Sequence, residues 1–245
     1  MRRILFRWGS VSIYSYPATL YFGIVFGIYA QLYAAHSSRL NVTRTLSATI
    51  LLVMTALLGA RLLFVTRNWR VYREQPRRIW RFSEGGASMY GGLLLSLPFS
   101  LPLLAVFEIP FGRFWDAASF TMLIGMIITR FGCFLNGCCA GRPTSRWFGL
   151  DLPDGEGVWT RRIPVQILEA AWGMVVLVGA ITLWGHRPFE GALFLFAVGA
   201  YGAGRIVLEH ARNKQDRFRG ISVAQAISTV FVTVSVVAFA IFRWS

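Results

Sequence analysis

Long apolar stretches constrain this chain more than any other feature. About seven of them come close to the roughly 20 residues that a helix needs to cross the hydrocarbon core of a bilayer. They cover residues 15–34, 46–65, 88–106, 117–135, 165–184, 191–208 and 221–242. Hydrophobic residues make up 55% of the chain and charged residues 15%, and the alternation typical of a membrane barrel is absent. We therefore predict an all-α integral membrane protein, with a single transmembrane domain of about seven helices over residues 1–245.

The first apolar stretch follows a basic N-terminus, which is also a feature of cleaved signal peptides. The stretch is too long for a typical signal core, and tyrosines lie in it and beside it. We expect it to be a retained span.

The charge of the chain is strongly positive and almost wholly due to arginine. The formal net charge is +14, and Lys214 is the only lysine. Most loop arginines fall on the face that carries the N-terminus, which the positive-inside rule would make cytoplasmic. A second explanation is phosphate recognition, because a planar guanidinium binds phosphate at two points. No nucleic-acid partner is expected, since there is no soluble basic domain to bind one.

Three arginines lie within or at the ends of apolar stretches. Arg61, Arg130 and Arg205 each follow or precede small residues, which allow close helix approach. A charge at membrane depth costs about 2.5–3.5 kcal/mol even on lenient scales. We expect the three to converge around an anion such as a phosphate. The alternative is that each side chain reaches the interface and binds nothing in particular.

A polar stripe follows one face of residues 201–209. Arg205 and Glu209 are four apart, the spacing of an ion pair on a helix, and Tyr201 lies one turn earlier. The pair is either purely structural or holds Arg205 in position for a ligand.

Two helix starts are unusually polar or glycine-rich. Residues 84–92 place four glycines, Gly91 among them, around Tyr90, which indicates either tight packing or backbone brought close to a ligand. Arg162, Gln166 and Glu169 fall at helical spacing at the start of the fifth stretch, which favours an internal polar site.

Residues 130–144 combine Arg130 and Arg142 with glycines, an asparagine and three cysteines. The cysteines are Cys133, Cys138 and Cys139. They are either small packing residues or thiols activated by the neighbouring arginines. Their spacing indicates neither a disulfide framework nor a zinc site.

Taken in order, these segments resemble the bacterial prolipoprotein diacylglyceryl transferase family. The resemblance implies seven spans, phosphatidylglycerol or another anionic phospholipid as donor, and a prolipoprotein cysteine near its signal peptide as acceptor. That transfer needs neither a metal nor an organic cofactor, so none is expected. It implies catalytic roles for Tyr90, Arg130, Arg205 and Glu209. It implies substrate contacts at Tyr16, Arg61, Gly91, Asn136, Gly141, Arg142, Arg162, Gln166, Glu169 and Tyr201.

The chain departs from the family pattern at two places. The family carries a histidine between Gly-Gly-x-Ser-x and Gly-Gly, and here that position is Tyr90. Cys133 replaces the first asparagine of Gly-Asn-Phe-x-Asn-Gly, while Asn136 keeps the second. A tyrosine with a reference pKa of about 10 is a poorer base at neutral pH than histidine.

Three functions therefore stay open. The chain is a lipoprotein transferase, a related enzyme that uses another acceptor, or a non-catalytic protein that binds anionic lipid. The resemblance implies a bacterial inner-membrane protein whose catalytic loops face away from the cytoplasm, whereas the arginine count argues for the reverse. We side with the resemblance, because several of the counted arginines belong to its motifs.

Overall fold

A computed structural model describes residues 4–8, 11–80, 89–153, 157–212, 217–218 and 221–242. Its long helices are α1 (Ser15–Ser37), α2 (Val42–Arg67), α4 (Met89–Val106), α5 (Phe111–Asn136), α6 (Val165–Leu183), α7 (Ala192–Glu209) and α8 (Val223–Phe242), and α3 (Trp69–Tyr72) is a short one. Within the described residues, six helices are long and apolar enough to cross a membrane, and Gly91–Val106 is a shorter apolar helix at the predicted third span. The all-α membrane fold is confirmed.

Two helices begin earlier than the apolar stretches predicted. α2 starts at Val42, where the Asn41 side chain accepts a hydrogen bond of 3.0 Å from the Arg44 backbone N–H. Such a cap satisfies one of the donors that a helix start leaves without a partner. α5 starts at Phe111 and runs to Asn136. Hydropathy alone misses first turns that are polar.

The contacts divide the chain into two units, residues 35–114 and residues 1–34 with 115–245. In the first unit, α2 packs closely on α4 through two glycines. A β-carbon on Gly59 would lie 2.3 Å from the carbonyl oxygen of Gly91, and the reverse distance is also 2.3 Å. Glycine at both positions is therefore required by the packing. The single-domain organisation predicted from the sequence remains a prediction.

In the second unit, α1 lies against α5, and α6, α7 and α8 pack in series. Thr121 on α5 donates a 2.7 Å hydrogen bond to the Gln31 side chain on α1. The Trp172 indole on α6 donates to the Ala200 carbonyl on α7 at 2.9 Å. Gly204 leaves room for that ring, because a β-carbon there would meet the indole nitrogen at 2.0 Å.

Short antiparallel strand pairs precede α1 and connect later helices. They are β1 (Ile4–Trp8) with β2 (Val11–Tyr14), β3 (Leu150–Pro153) with β4 (Trp159–Arg162), and β5 (Arg217–Phe218) with β6 (Ile221–Ser222). Arg162 ends β4, so its predicted place on the α6 helix face is wrong. Pro164 explains the difference. The residue before it, Ile163, is driven toward extended backbone, so the helix cannot continue back to Arg162.

A buried carboxylate anchors the start of α7. Asp116 is fully buried and accepts backbone hydrogen bonds from Gly191 (3.0 Å), Leu193 (2.9 Å) and Phe194 (3.1 Å). The Arg187 guanidinium lies 3.4 Å from the same carboxylate. The acidic group thus occupies the positive end of a helix dipole.

Candidate functional site: a buried carboxylate shared by three arginines

Glu169 lies on the first turns of α6 and is almost completely buried, with 1% of its surface exposed. One carboxylate oxygen lies 2.5 Å from Arg130 Nε on α5. The other pairs with Arg205 Nη1 on α7 and lies 3.6 Å from Arg212 Nε. A single carboxylate therefore holds guanidinium groups from three segments of the chain.

Two further groups extend this cluster. Arg205 Nη2 lies 3.0 Å from Glu209 Oε2 one turn later on α7, so the pair predicted from the four-residue spacing does form. Tyr201, one turn before Arg205, hydrogen-bonds to Arg130. The polar stripe on α7 is thus joined to α5 as well as to α6.

The charges in this cluster do not balance. Among the ion pairs of the described residues, three guanidinium groups face the two carboxylates of Glu169 and Glu209, which leaves an excess of one positive charge. Removing a charge from water costs several kcal/mol unless a partner compensates it. The cluster is therefore suited to take up an anion.

The loop after α5 is fixed against the same region by backbone contacts. Gln166 Nε2 donates to the Cys138 carbonyl at 2.6 Å, and the Gly141 N–H donates to the Ile163 carbonyl at 2.9 Å. A β-carbon on Gly141 would lie 2.6 Å from the Ala211 carbonyl oxygen. This position therefore requires glycine for close packing of the backbone.

Two further arginines predicted from the sequence differ in burial. Arg162 is 4% exposed and its Nη1 lies 3.5 Å from the Gly141 carbonyl. Arg142 is exposed, and its backbone N–H donates to the Ala211 carbonyl at 2.9 Å. Arg142 therefore contributes a backbone contact here, with its side chain at the surface.

The three cysteines lie together where α5 ends. Their Sγ atoms are all within 4.8 Å of one another, and Asn136 hydrogen-bonds to the Cys138 side chain. The pKa of the Cys139 thiol lies well below its usual range, because the Cys133 and Cys138 thiols hydrogen-bond to it and Arg130 and Arg212 add positive charge. Tyr16, at the start of α1, is within electrostatic range of all three thiols and of Arg130.

Three predicted residues belong to the other unit. Arg61 is buried, donates from Nε to the Ile79 carbonyl at 3.0 Å and lies 5.5 Å from the Tyr72 ring centre. Gly91 takes part in the packing of α2 on α4. The side chain of Tyr90 lies outside the part of the chain that the structure describes. A common site for these residues and the Glu169 cluster stays a prediction.

Sequence reasoning missed Arg212 and Asp116. Arg212 follows Glu209 by three residues, a spacing that could have marked it as a neighbour of the polar stripe. Its contact with Glu169 spans 43 positions of the chain, which no local pattern reveals. Asp116 lies just outside the fourth apolar stretch predicted, residues 117–135.

Fold and site together define a helical membrane protein with a buried, arginine-rich cluster suited to an anion. The chain matches the model of the prolipoprotein diacylglyceryl transferase family over residues 3–241. It belongs to that family.

Relatives with the name phosphatidylglycerol–prolipoprotein diacylglyceryl transferase are similar to the chain over almost its whole length. A Clostridium botulinum protein is 24% identical over 243 residues, which is 96% of this chain and 95% of its own. A Streptococcus equi subsp. zooepidemicus protein is 24% identical, covering 96% of this chain and 92% of its own. A Trichormus variabilis protein is also 24% identical, covering 97% and 88%.

Proposed function

We propose that this protein transfers the diacylglyceryl group of phosphatidylglycerol to the thiol of a prolipoprotein cysteine. Family membership and the names of the relatives support the substrates. The observation that carries the proposal is the buried Glu169 shared by Arg130, Arg205 and Arg212, with its excess positive charge.

The proposed reaction forms one carbon–sulfur bond, breaks one carbon–oxygen bond and moves one proton. The acceptor sulfur bonds to the terminal glyceryl carbon of the lipid, the bond from that carbon to the phosphate oxygen breaks, and the thiol proton goes to a base. Glycerol phosphate leaves with the electron pair of the broken bond. The protein must therefore bind a phosphate, accept a proton and admit two acyl chains.

The arginine cluster acts mainly on the leaving group. The phosphodiester of the lipid carries one negative charge, and the departing monoester approaches two because its second pKa is about 6. Guanidinium groups already in place stabilise that growing charge more than they stabilise the bound lipid, which is the condition for lowering a barrier. Glu169 keeps Arg130 and Arg205 oriented until the phosphate charge develops.

The remaining assignments rest on the family resemblance. Tyr90 stands at the position of the family's histidine and accepts or relays the thiol proton. Glu209 orients Arg205. Contacts to the lipid or the acceptor come from Tyr16, Arg61, Gly91, Asn136, Gly141, Arg142, Arg162, Gln166, Glu169 and Tyr201.

The role of Tyr90 has its own test. Tyr90→Phe removes the hydroxyl and should lower kcat by about 10²-fold, the lower end of what proton transfer contributes. Tyr90→His should keep the activity that Tyr90→Phe loses at neutral pH, because the imidazole pKa of about 6.5 suits a general base. A Tyr90→Phe protein as active as the unchanged one would remove Tyr90 from the mechanism.

A second candidate function is favoured by the substitutions at Tyr90 and Cys133. Both change positions at which the family carries other residues, as expected of an enzyme that uses the same lipid with a different acceptor. A third candidate, binding of anionic lipid without turnover, also uses the arginine cluster.

We further propose that the protein resides in the bacterial cytoplasmic membrane with this site facing away from the cytoplasm. With seven spans, that orientation places the C-terminus in the cytoplasm. A reporter fused after Ser245 should therefore read as cytoplasmic, and an extracytoplasmic reading would reverse the assignment.

Incubation of the purified protein with phosphatidylglycerol and a lipobox peptide, followed by mass spectrometry, separates the three functions. A diacylglyceryl group on the peptide cysteine is the expected result. Lipid turnover without peptide modification would favour the other acceptor, and lipid binding alone would favour the non-catalytic protein.

A further inference from the structure

The end of α5 brings two thiols together by the way its helix terminates. The Cys138 N–H donates to the Cys133 carbonyl and the Gly137 N–H to the Phe134 carbonyl, both at 3.1 Å. Gly137 has a positive φ of 73°. These bonds and that residue form a Schellman motif, in which the side chains at the positions of Cys133 and Cys138 normally make an apolar contact. Here both positions carry sulfur.

Cys139 adds the third thiol. Its backbone has a positive φ of 65°, a conformation that non-glycine residues adopt uncommonly and at a cost of roughly 1–2 kcal/mol. Cys133 is buried, Cys138 partly buried and Cys139 exposed. Packing of small residues accounts for Cys133, but it does not account for an exposed cysteine in left-handed backbone with its sulfur beside two others.

The spacing of the sulfurs fits a metal ion. With metal–sulfur bonds of about 2.3 Å, three thiolates on one ion are about 3.8 Å apart in tetrahedral and about 4.0 Å in trigonal geometry. All three Sγ atoms lie within 4.8 Å of one another, so small rotations of the side chains bring them to those distances. The exposure of Cys139 leaves access for the ion and for a water as fourth ligand.

The surroundings suit the charge of such a site. Three thiolates and a divalent ion carry one net negative charge, and three thiolates with Cu(I) carry two. Arg130 and Arg212 both act electrostatically on Cys139. The Cys138 backbone is held by the 2.6 Å hydrogen bond from Gln166 to its carbonyl, so the ligands are held in place before any ion arrives.

We propose that Cys133, Cys138 and Cys139 bind one soft, thiophilic metal ion of the class of Cu(I), Zn(II) and Cd(II). Thiolate ligands select soft ions of this kind over Mg(II), Ca(II) or Mn(II). The proposal does not rest on the transferase function, although Arg130 and Arg212 belong to the surroundings of both sites. It revises the expectation from the sequence that no metal is bound.

The test uses the full chain in detergent, reduced, freed of metal and titrated with Cd(II). Thiolate-to-metal charge-transfer absorbance should rise until one Cd(II) is bound per chain, and elemental analysis should give the same ratio. Mg(II) at the same concentrations should give no signal. Saturation well below one ion per chain would overturn the proposal.

Variants separate this site from adventitious binding. Cys139→Ser should lower Cd(II) affinity at least tenfold, since even residues outside the first ligand shell contribute about 10–100-fold. Cys139 is exposed, so this change should leave the unfolding temperature unaltered. His36→Ala, at an exposed histidine, should bind Cd(II) as the unchanged protein does.

Two results would contradict the proposal directly. One is equal Cd(II) affinity in the unchanged protein and in Cys139→Ser. The other is a stable disulfide between two of the three cysteines, detected by thiol counting before reduction, together with no Cd(II) binding after reduction.

Discussion

Asp116 and Glu169 are both buried carboxylates, and they are held in opposite ways. Asp116 accepts three backbone N–H groups at the start of α7 and has one arginine beside it. Glu169 faces three arginines, one of them shared with Glu209. The first carboxylate is satisfied by the fold, whereas the second lies in an excess of positive charge.

The difference separates a structural carboxylate from a functional one. Backbone donors at a helix start stabilise a carboxylate without requiring anything else. An excess of guanidinium groups in a dry environment is costly alone and favourable once an anion enters. We therefore expect changes at Asp116 to lower stability, and changes at Glu169 to lower activity.

The largest effect should come from the arginines. Arg205→Ala should lower diacylglyceryl transfer by about 10³-fold, because removal of one donor to a developing oxyanion costs 10²–10³-fold. Arg187→Ala is the matched control, since its guanidinium pairs with Asp116 and stacks on Trp184 at 3.9 Å. It should lower the unfolding temperature while leaving kcat/KM nearly unchanged. Equal activity losses in the two variants would contradict the distinction between a structural and a functional carboxylate.

The carboxylates come next. Glu169→Gln should lower kcat by about 10²-fold, because the orienting charge for two arginines is lost. Asp116→Asn should lower the free energy of unfolding by about 1–3 kcal/mol. The amide NH₂ group would then face backbone N–H groups, which are also hydrogen-bond donors. Denaturation and transfer assays on both variants check this. The reverse pattern, with Asp116→Asn inactive but stable, would overturn the assignment.

Arg212 should have a smaller role. It lies 3.6 Å from Glu169 and its side chain is more exposed than that of Arg205. Arg212→Ala should therefore cost about tenfold in kcat/KM, equivalent to about 1.4 kcal/mol. Initial rates over a range of lipid concentrations measure this. A loss as large as that of Arg205→Ala would make Arg212 a principal phosphate ligand.

An effect as small as that of Arg212→Ala should be a ligand-induced change in stability. Glycerol phosphate at ten times its dissociation constant should stabilise the folded protein by about 1.4 kcal/mol. Arg187→Ala should keep this gain and Arg205→Ala should lose it. Thermal unfolding with and without glycerol phosphate provides the measurement, and a gain of the same size in Arg205→Ala would place the anion elsewhere.

Local patterns predicted the parts of this site that lie close together in sequence. The four-residue spacing was enough to pair Arg205 with Glu209, and the apolar stretches were enough to find the helices. The sharing of Glu169 among α5, α7 and Arg212 could not be predicted, because it depends on packing between distant segments. Arg162 was misplaced because the helix periodicity was extended back across Pro164, although Arg162 belongs to strand β4.

The cysteines show the same limit. Gly137 after an apolar helix could have predicted the turn that ends α5. The convergence of the third thiol depends on the backbone conformation of Cys139, which residue type does not reveal.

The most direct test of the central claim is a measurement of both products in one reaction. Purified protein with phosphatidylglycerol and a lipobox peptide should form diacylglyceryl peptide and glycerol phosphate in equal amounts, and Arg205→Ala should form both about 10³-fold more slowly. Glycerol phosphate released without modified peptide, or both products formed at the full rate by Arg205→Ala, would contradict the account.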